Sequence, residues 1–352
     1  MKKILFFFFV GSILVKSMDA AVLTVSNDAK APAQYSAINT AIAAANPGDT
    51  IMVYGSGISY GTVEIAREIV LIGAGCNNPY GGTSILGSVN LRGSGAFTAS
   101  NSKITGFRMG YISFYGTNGT SKTIEGVTIE RCYMTSYTYF QNANVTYRND
   151  TIRNCLLGSS YVYFGGSGFE NVIFHNNIFS NYYLYSSSNY SAAGVIVKNN
   201  VMLNRASSNM FSSVKDLAVD NNIFYAAEPQ GCTNCAFNNN MTFANTQDTL
   251  VGPGNPGSVG SGNMQTVNPL FEDYPVGGGA FSWSHDLTVT EPTAQTAGTD
   301  NTVIGIEGGL MFYEPGANPA IPQMTEISFP GNGSSVKVGG SLDVTFKAKK
   351  QD

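Results

Sequence analysis

One short phrase occurs six times between residues 129 and 242, and it limits what this chain can fold into. Ile129-Glu130-Arg131-Cys132-Tyr133-Met134 is followed by Ile152-Arg153-Asn154-Cys155-Leu156-Leu157 and Phe174-His175-Asn176-Asn177-Ile178-Phe179. Val197-Lys198-Asn199-Asn200-Val201-Met202, Val219-Asp220-Asn221-Asn222-Ile223-Phe224 and Phe237-Asn238-Asn239-Asn240-Met241-Thr242 complete the set. The fourth residues, Cys132, Cys155, Asn177, Asn200, Asn222 and Asn240, are 23, 22, 23, 22 and 18 positions apart. A period this short marks a repeat architecture.

The residues inside the period choose its secondary structure. Helical repeats need apolar residues at i, i+3 and i+4, whereas here Val-x-Ile and Val-x-Val alternate beside Asn-Asn and Gly-rich breaks. Each repeat therefore reads as a coil of short strands that buries its inward side chains by stacking on the next coil, at roughly 4.8 Å, in a parallel β-helix. The fourth-position Asn is expected to take the tight turn and to hydrogen-bond backbone groups of neighbouring coils. Cys132 and Cys155 are small substitutes in the same column.

Composition agrees with a solenoid. Only 12% of residues are charged, while Gly (40), Tyr (19) and Phe (21) are abundant. A net charge of −4 argues against nucleic acid or an anionic membrane as partner, because either would require a basic face. Met1-Lys2-Lys3 and the apolar run from Ile4 to Val15 have the form of a secretory signal, with cleavage near Ala20 or Ala21. Residues 1–21 are thus expected to be removed, leaving a secreted, periplasmic or surface protein. No later run is long enough to span a membrane. Cys232 and Cys235 read either as a local disulfide or as two inward small residues of one strand.

Ile38, Ala41, Ile42 and Ala45 fall at helical spacing within residues 34–46, and Pro47-Gly48 stops the pattern. Such a helix would cap the open end of the solenoid, which otherwise exposes core and unpaired backbone. Residues 49–54, 62–65 and 69–73 then read as strands. Residues 246–268, rich in Gly, Pro, Ser and Asn, read as a long loop. Residues 22–318 form the expected β-helix domain, and 319–352 a short β extension of two strands packed on the last coil.

These stretches carry a resemblance. "YSAINTAIAAANPGDTIMVYGSGISYGTVEIAREIVLIGAG" (35–75) resembles the opening of the pectin-lyase-like superfamily of right-handed parallel β-helices. "NPLFED" (268–273), "FSWSHDL" (281–287) and "AGTDNTVIGIEGG" (297–309) are similar to closing segments of its secreted bacterial members. The resemblance implies an extracellular polysaccharide as substrate or ligand, acted on by a monomer. For a polysaccharide lyase it implies a Lys or Arg base near a carboxylate, or bound calcium. Other superfamily members have no assigned chemistry.

Two outward columns follow from the coil alignment. One reads Glu130, Arg153, His175, Lys198, Asp220, Asn238, and within it Arg153, His175, Lys198 and Asp220 form a conceivable catalytic set. Its signs largely alternate, as do those of Glu125, Arg148 and Glu170, and neighbours that merely avoid like-charge repulsion would do the same. No Asp-Asp pair, Arg-x-Lys or cluster of calcium-binding acids accompanies them. His285 reads as structural. Asp150 occupies a column otherwise filled by Val127, Val172, Val195 and Leu217, which suggests a bulge there.

The second candidate surface is aromatic. Tyr137-Thr138-Tyr139-Phe140, Tyr161-Val162-Tyr163-Phe164 and Tyr183-Leu184-Tyr185-Ser186 fall into register. If the second and fourth positions point inward, Tyr137, Tyr161 and Tyr183 form one outward row and Tyr139, Tyr163 and Tyr185 the next. Tyrosine stacking along a ladder is itself stabilising. An exposed aromatic strip with hydroxyl rims also suits sugar rings. A carbohydrate-active enzyme and a non-catalytic surface or adhesive scaffold are thus the two function classes in play.

Overall fold

The computed structural model describes residues 20–77, 82–94, 97–116, 122–141, 145–166, 168–187, 190–311, 313, 318–319, 322–328 and 343–349. The signal-like residues 1–19 lie outside these. The fold is all-β, a parallel β-solenoid. One face is an 11-stranded sheet that begins at Val22–Val25 and ends at Val259–Ser261. Every neighbouring pair in it is parallel; Thr128–Glu130, Thr151–Arg153, Val172–His175 and Val195–Lys198 succeed one another. A second sheet contains two runs joined through the long strand Arg108–Gly116. One run holds the short strands Tyr133–Met134, Leu156–Gly158 and Ile178–Ser180, and the other holds Thr138–Phe140, Tyr161–Phe164 and Tyr183–Ser186. A third sheet pairs Lys122–Glu125, Val145–Arg148 and Gly168–Glu170.

Left-handed residues turn the chain between faces. The third residue of each phrase takes this conformation, with φ of 51–57° at Arg131, Asn154, Asn176, Asn199, Asn221 and Asn239. Asparagine tolerates it better than most residues. The sequence reading gave one Asn both jobs, but the structure divides them. The fourth residue points inward and is fully buried at Asn177, Asn200, Asn222 and Asn240. Each of these accepts, through its Oδ1, the backbone N–H of the preceding member of the column: Cys155 N to Asn177, Asn177 N to Asn200, Asn200 N to Asn222, and Asn222 N to Asn240, at 2.9–3.0 Å. The thiols of Cys132 and Cys155 instead donate to carbonyls of their own coils, Glu130 O and Arg153 O.

The ladder continues where a loop was expected. Asn240 N donates to Asn263 Oδ1 at 3.0 Å, and Val259–Ser261 aligns with Ala236–Asn238. Glycine hid this coil in the sequence: a Cβ at Gly260 would lie 1.8 Å from Phe237 O, so only glycine fits that close approach.

The helix forms at Ile38–Ala44, with Ile38, Ala41 and Ile42 buried at the first coils. Inside the solenoid, Phe114, Phe140 and Phe164 stack at 4.5 and 6.0 Å. The expected bulge at Asp150 is absent, because Thr151–Arg153 pairs with both neighbours without a register shift. Asp150 is instead fully buried, accepting Val127 N at 2.9 Å through Oδ1 while Oδ2 has no hydrogen-bond partner among the described residues. Cys232 and Cys235 form a disulfide. Near the C-terminus, Gln323–Ser328 and Thr345–Lys349 pair as an antiparallel hairpin on which Ile327 and Phe346 are exposed.

A second apolar cluster lies outside the solenoid. Residue five of each phrase points outward, yet Leu156, Ile178, Val201, Ile223 and Met241 are buried. Tyr274, Leu287, Val289, Ile304 and Ile306 from the closing segment cover them. The segment then returns along the corner asparagines. Asn239 Nδ2 donates to Ala297 O, Asn221 Nδ2 to Thr299 Oγ1, Asn176 Nδ2 to Ile306 O and Gly308 O, and Arg131 Nη1 to Asn318 O, at 2.6–3.0 Å. One column of corner side chains, asparagine amides and the Arg131 guanidinium, thus clamps the segment that completes the fold.

Candidate functional site

Both columns anticipated from the sequence exist, because strict parallel register carries each coil position onto the next. Glu130, Arg153, His175, Lys198, Asp220 and Asn238 are successive register partners. Glu130 is 5% exposed and held from both sides, by Arg153 Nη2 at 2.5 Å and Lys103 Nζ at 2.7 Å. Burial alone would raise its pKa, but the Lys103 and Arg153 contacts outweigh burial and hold the carboxyl below its ordinary value. Arg153 also rests against Met311 Sδ of the closing segment. His175 Nδ1 lies 2.7 Å from Asn176 Oδ1. Burial first, then the positive charges of Arg153 and Lys198, depress the His175 pKa against the Asn176 hydrogen bond, which raises it. The Asp220 pKa is raised, chiefly by burial, and its carboxylate accepts Asn238 Nδ2 at 3.0 Å.

The four residues nominated for catalysis are therefore adjacent, but each strong contact is structural. Arg153 is committed to Glu130, and Asp220 is bonded to Asn238 rather than aimed at a neighbouring base. In the other column, Arg148 bridges Glu170 at 2.6 Å and Glu125 at 3.5 Å. Among the described residues no group of three or more His, Cys, Asp or Glu side chains is placed to hold a metal ion. The calcium implied by the resemblance has no carboxylate cluster among the described residues to bind it.

The tyrosines point outward and are half-buried, while Thr138, Val162 and Leu184 between them are buried. Tyr161 pairs with Tyr183, Tyr139 with Tyr163 and Tyr163 with Tyr185. Tyr111 extends the first row, its ring stacked on Tyr137 at 4.7 Å and 20°. Tyr137–Tyr161 and Tyr161–Tyr183 follow at 6.0 and 5.4 Å, and Tyr139–Tyr163 and Tyr163–Tyr185 at 4.8 and 5.3 Å. The rows also touch each other, with Tyr137 and Tyr139 centroids 4.5 Å apart and the Tyr139 and Tyr161 hydroxyls 3.2 Å apart. That hydrogen bond is the main reason the Tyr139 pKa rises. Ser212 succeeds Tyr185 in the following coil, and there the second row ends.

Beside this strip is a feature the sequence reading missed. The seventh position of the repeat, outward on the short strands, is Gly158 then Ser180, but Leu203 and Tyr225 in the next coils. Over Leu203 and Tyr225 the closing segment packs directly. Over Gly158 and Ser180 it leaves a hollow of about 570 Å³, walled by Tyr133 and Phe281. His285 stands behind this wall, its ring edge-on to Tyr274 at 5.0 Å and its Nδ1 accepting Ser282 N at 3.1 Å.

No family model and no curated protein matches the chain. Among solved structures it is similar to a trypsin-treated form of QnrB1, described as a plasmid-mediated fluoroquinolone resistance protein, at 13% identity and a TM-score of 0.30, over 57% of this chain and 91% of that one. At that score the likeness carries no argument about activity. Among the described residues, no helix is long and apolar enough to cross a membrane.

Proposed function

We propose that this protein is an exported β-solenoid scaffold that binds an extracellular polysaccharide on its tyrosine strip. The observation that carries the reading is the seven-ring surface formed by Tyr111, Tyr137, Tyr161 and Tyr183 beside Tyr139, Tyr163 and Tyr185. Solubility alone would favour Thr, Ser or Lys at outward strand positions. Closely spaced ring edges and hydroxyls along the rows offer a pyranose chain both apolar contact and hydrogen bonds. Export is supported by the charged-then-apolar run at residues 2–15 and by the Cys232–Cys235 disulfide, a bond typical of oxidising compartments. The column of Arg153, His175, Lys198 and Asp220 is assigned to coil stacking, since Arg153 is ion-paired to Glu130 and Asp220 accepts from Asn238, each within the column.

The test is incubation with a panel of neutral and uronate polysaccharides, following retention and the release of unsaturated chain ends. Retention without release is expected. Release of unsaturated ends would establish a lyase and return the charged column to the site. Retention of no glycan at all would remove the reading.

A further inference from the structure

The hollow over Gly158 and Ser180 lies one left-handed corner, at Ser159 and Asn181, from the strands that carry the tyrosine strip. Ser159 and Asn181 form its rim, and each lies two residues before a strip tyrosine, Tyr161 and Tyr183. Its floor is small by sequence, at positions where the next two coils carry Leu203 and Tyr225. The Tyr133 ring presents its Cε2–hydroxyl edge to Gly158, where an added Cβ would sit 3.1 Å from Cε2. Phe281 closes the far side. The loop bearing it is pinned by Asn204, whose Oδ1 accepts Gly279 N at 2.9 Å, and by Tyr274, whose hydroxyl donates to Gly279 O at 2.5 Å.

Among the described residues, no charged side chain lines this space. Arg108 packs over the Tyr133 ring, 5.6 Å from its centroid, and is not part of the lining. Two aromatic walls with serine and asparagine at the rim suit a ring that is apolar on its faces and hydroxylated at its edge. A carboxylate in it would meet no cation among the lining residues, Arg108 standing on the Tyr133 ring outside them. Resting on the binding role proposed for the tyrosine strip, we infer that the hollow is a specificity subsite. It takes one uncharged pyranose unit of the bound chain, between Tyr133 and Phe281, and rejects uronates.

Trp283 is the chain's single tryptophan, 6.0 Å from the Tyr133 ring and 5.7 Å from Phe281, so its fluorescence responds to changes at this wall, and Ser180→Leu ties the response to the hollow itself. The full chain is titrated with a neutral oligosaccharide and, separately, with an oligouronate, while Trp283 emission and retention on immobilised neutral glycan are both followed. Emission should change saturably with the neutral sugar and not with the uronate. Ser180→Leu fills the hollow with the residue the next coil already carries. It should abolish the emission change and weaken oligosaccharide binding about tenfold or more, with the melting temperature unchanged. Phe281→Ala, which opens the wall instead, should weaken binding as well. If retention depends on the strip tyrosines while Trp283 is silent and Ser180→Leu binds like the wild type, the subsite is overturned and the strip stands. Tighter binding of the uronate overturns the neutral specificity. No retention of any glycan overturns the strip and the subsite together.

Discussion

Asn200 is joined to Asn222 twice, its backbone N–H donating to Asn222 Oδ1 at 3.0 Å and its side-chain Nδ2 to the same oxygen at 2.9 Å. The Nδ2 also donates to Lys198 O and to Phe174 O of the coil before. One fully buried amide therefore satisfies backbone groups in two coils and a side-chain oxygen in a third. Such groups have no water to turn to.

Replacing Asn200 by Leu keeps the branched shape in a somewhat larger side chain and removes every bond of the side-chain amide, while the backbone N–H keeps Asn222 Oδ1. The expected loss is on the order of 1–3 kcal/mol, seen in urea or thermal unfolding. A variant as stable as the wild type would show that the ladder contributes little.

Asp150 gives a pH signature. Burial, only partly offset by the Val127 N–H and reinforced by the Glu125 charge, pushes its pKa up to about 8. Below about pH 4, the ordinary aspartate value, folded and unfolded chains both carry the proton and the fold has its full stability from this group. From there up to about pH 8 the unfolded chain ionises while the folded one keeps its proton, so stability falls. Asp150→Val restores the apolar column of Val127 and Val172. It should flatten that decline and stabilise the fold at pH 7 by a few kcal/mol, roughly the scale of the shift. Unfolding curves of both proteins between about pH 4 and pH 9 decide; parallel pH profiles would contradict the buried neutral acid.

Arg153→Ala leaves Glu130, 5% exposed, with Lys103 as its remaining ion-pair partner. Destabilisation of about 1–3 kcal/mol is expected, with glycan retention at wild-type level after correction for folded fraction. Lys198→Ala makes a useful comparison, because no ion pair to Lys198 is found among the described residues; it should change the melting temperature little. Equal effects of the two changes would count against the ion-pair account.

Substituting Tyr139, Tyr163 and Tyr185 together by Ser removes one row and leaves Tyr137, Tyr161 and Tyr183. Glycan retention should weaken about tenfold or more, roughly 1.4 kcal/mol. The far-UV dichroism should stay unchanged, because the inward Phe140, Val162 and Leu184 are untouched. Undiminished retention would reduce the tyrosines to packing.

The period of the Asn phrase and the alternation of Val, Ile and Phe determined the parallel solenoid, its columns and the outward direction of the tyrosines. Those properties are local: alternation fixes which face a side chain takes, and identical coils stacked in register convert sequence spacing into spatial columns. Even there, the split between a left-handed Asn199 and an inward Asn200 needed the backbone, since both are Asn in the sequence. The disulfide, the buried Asp150 and the coil hidden by Gly260 and Gly262 likewise required coordinates. So did the fate of residues 264–313. A signal for the cover was present, because positions five and six are both apolar in Leu156-Leu157, Ile178-Phe179 and Val201-Met202, and in a strand one of each pair must face out. What covers an outward apolar column is packing between residues more than a hundred positions apart, with Ile178 and Ile306 in one cluster and Ile306 O bonded to Asn176. No periodicity encodes such a contact, and only the tertiary structure decides where the cover stops and leaves Gly158 and Ser180 open.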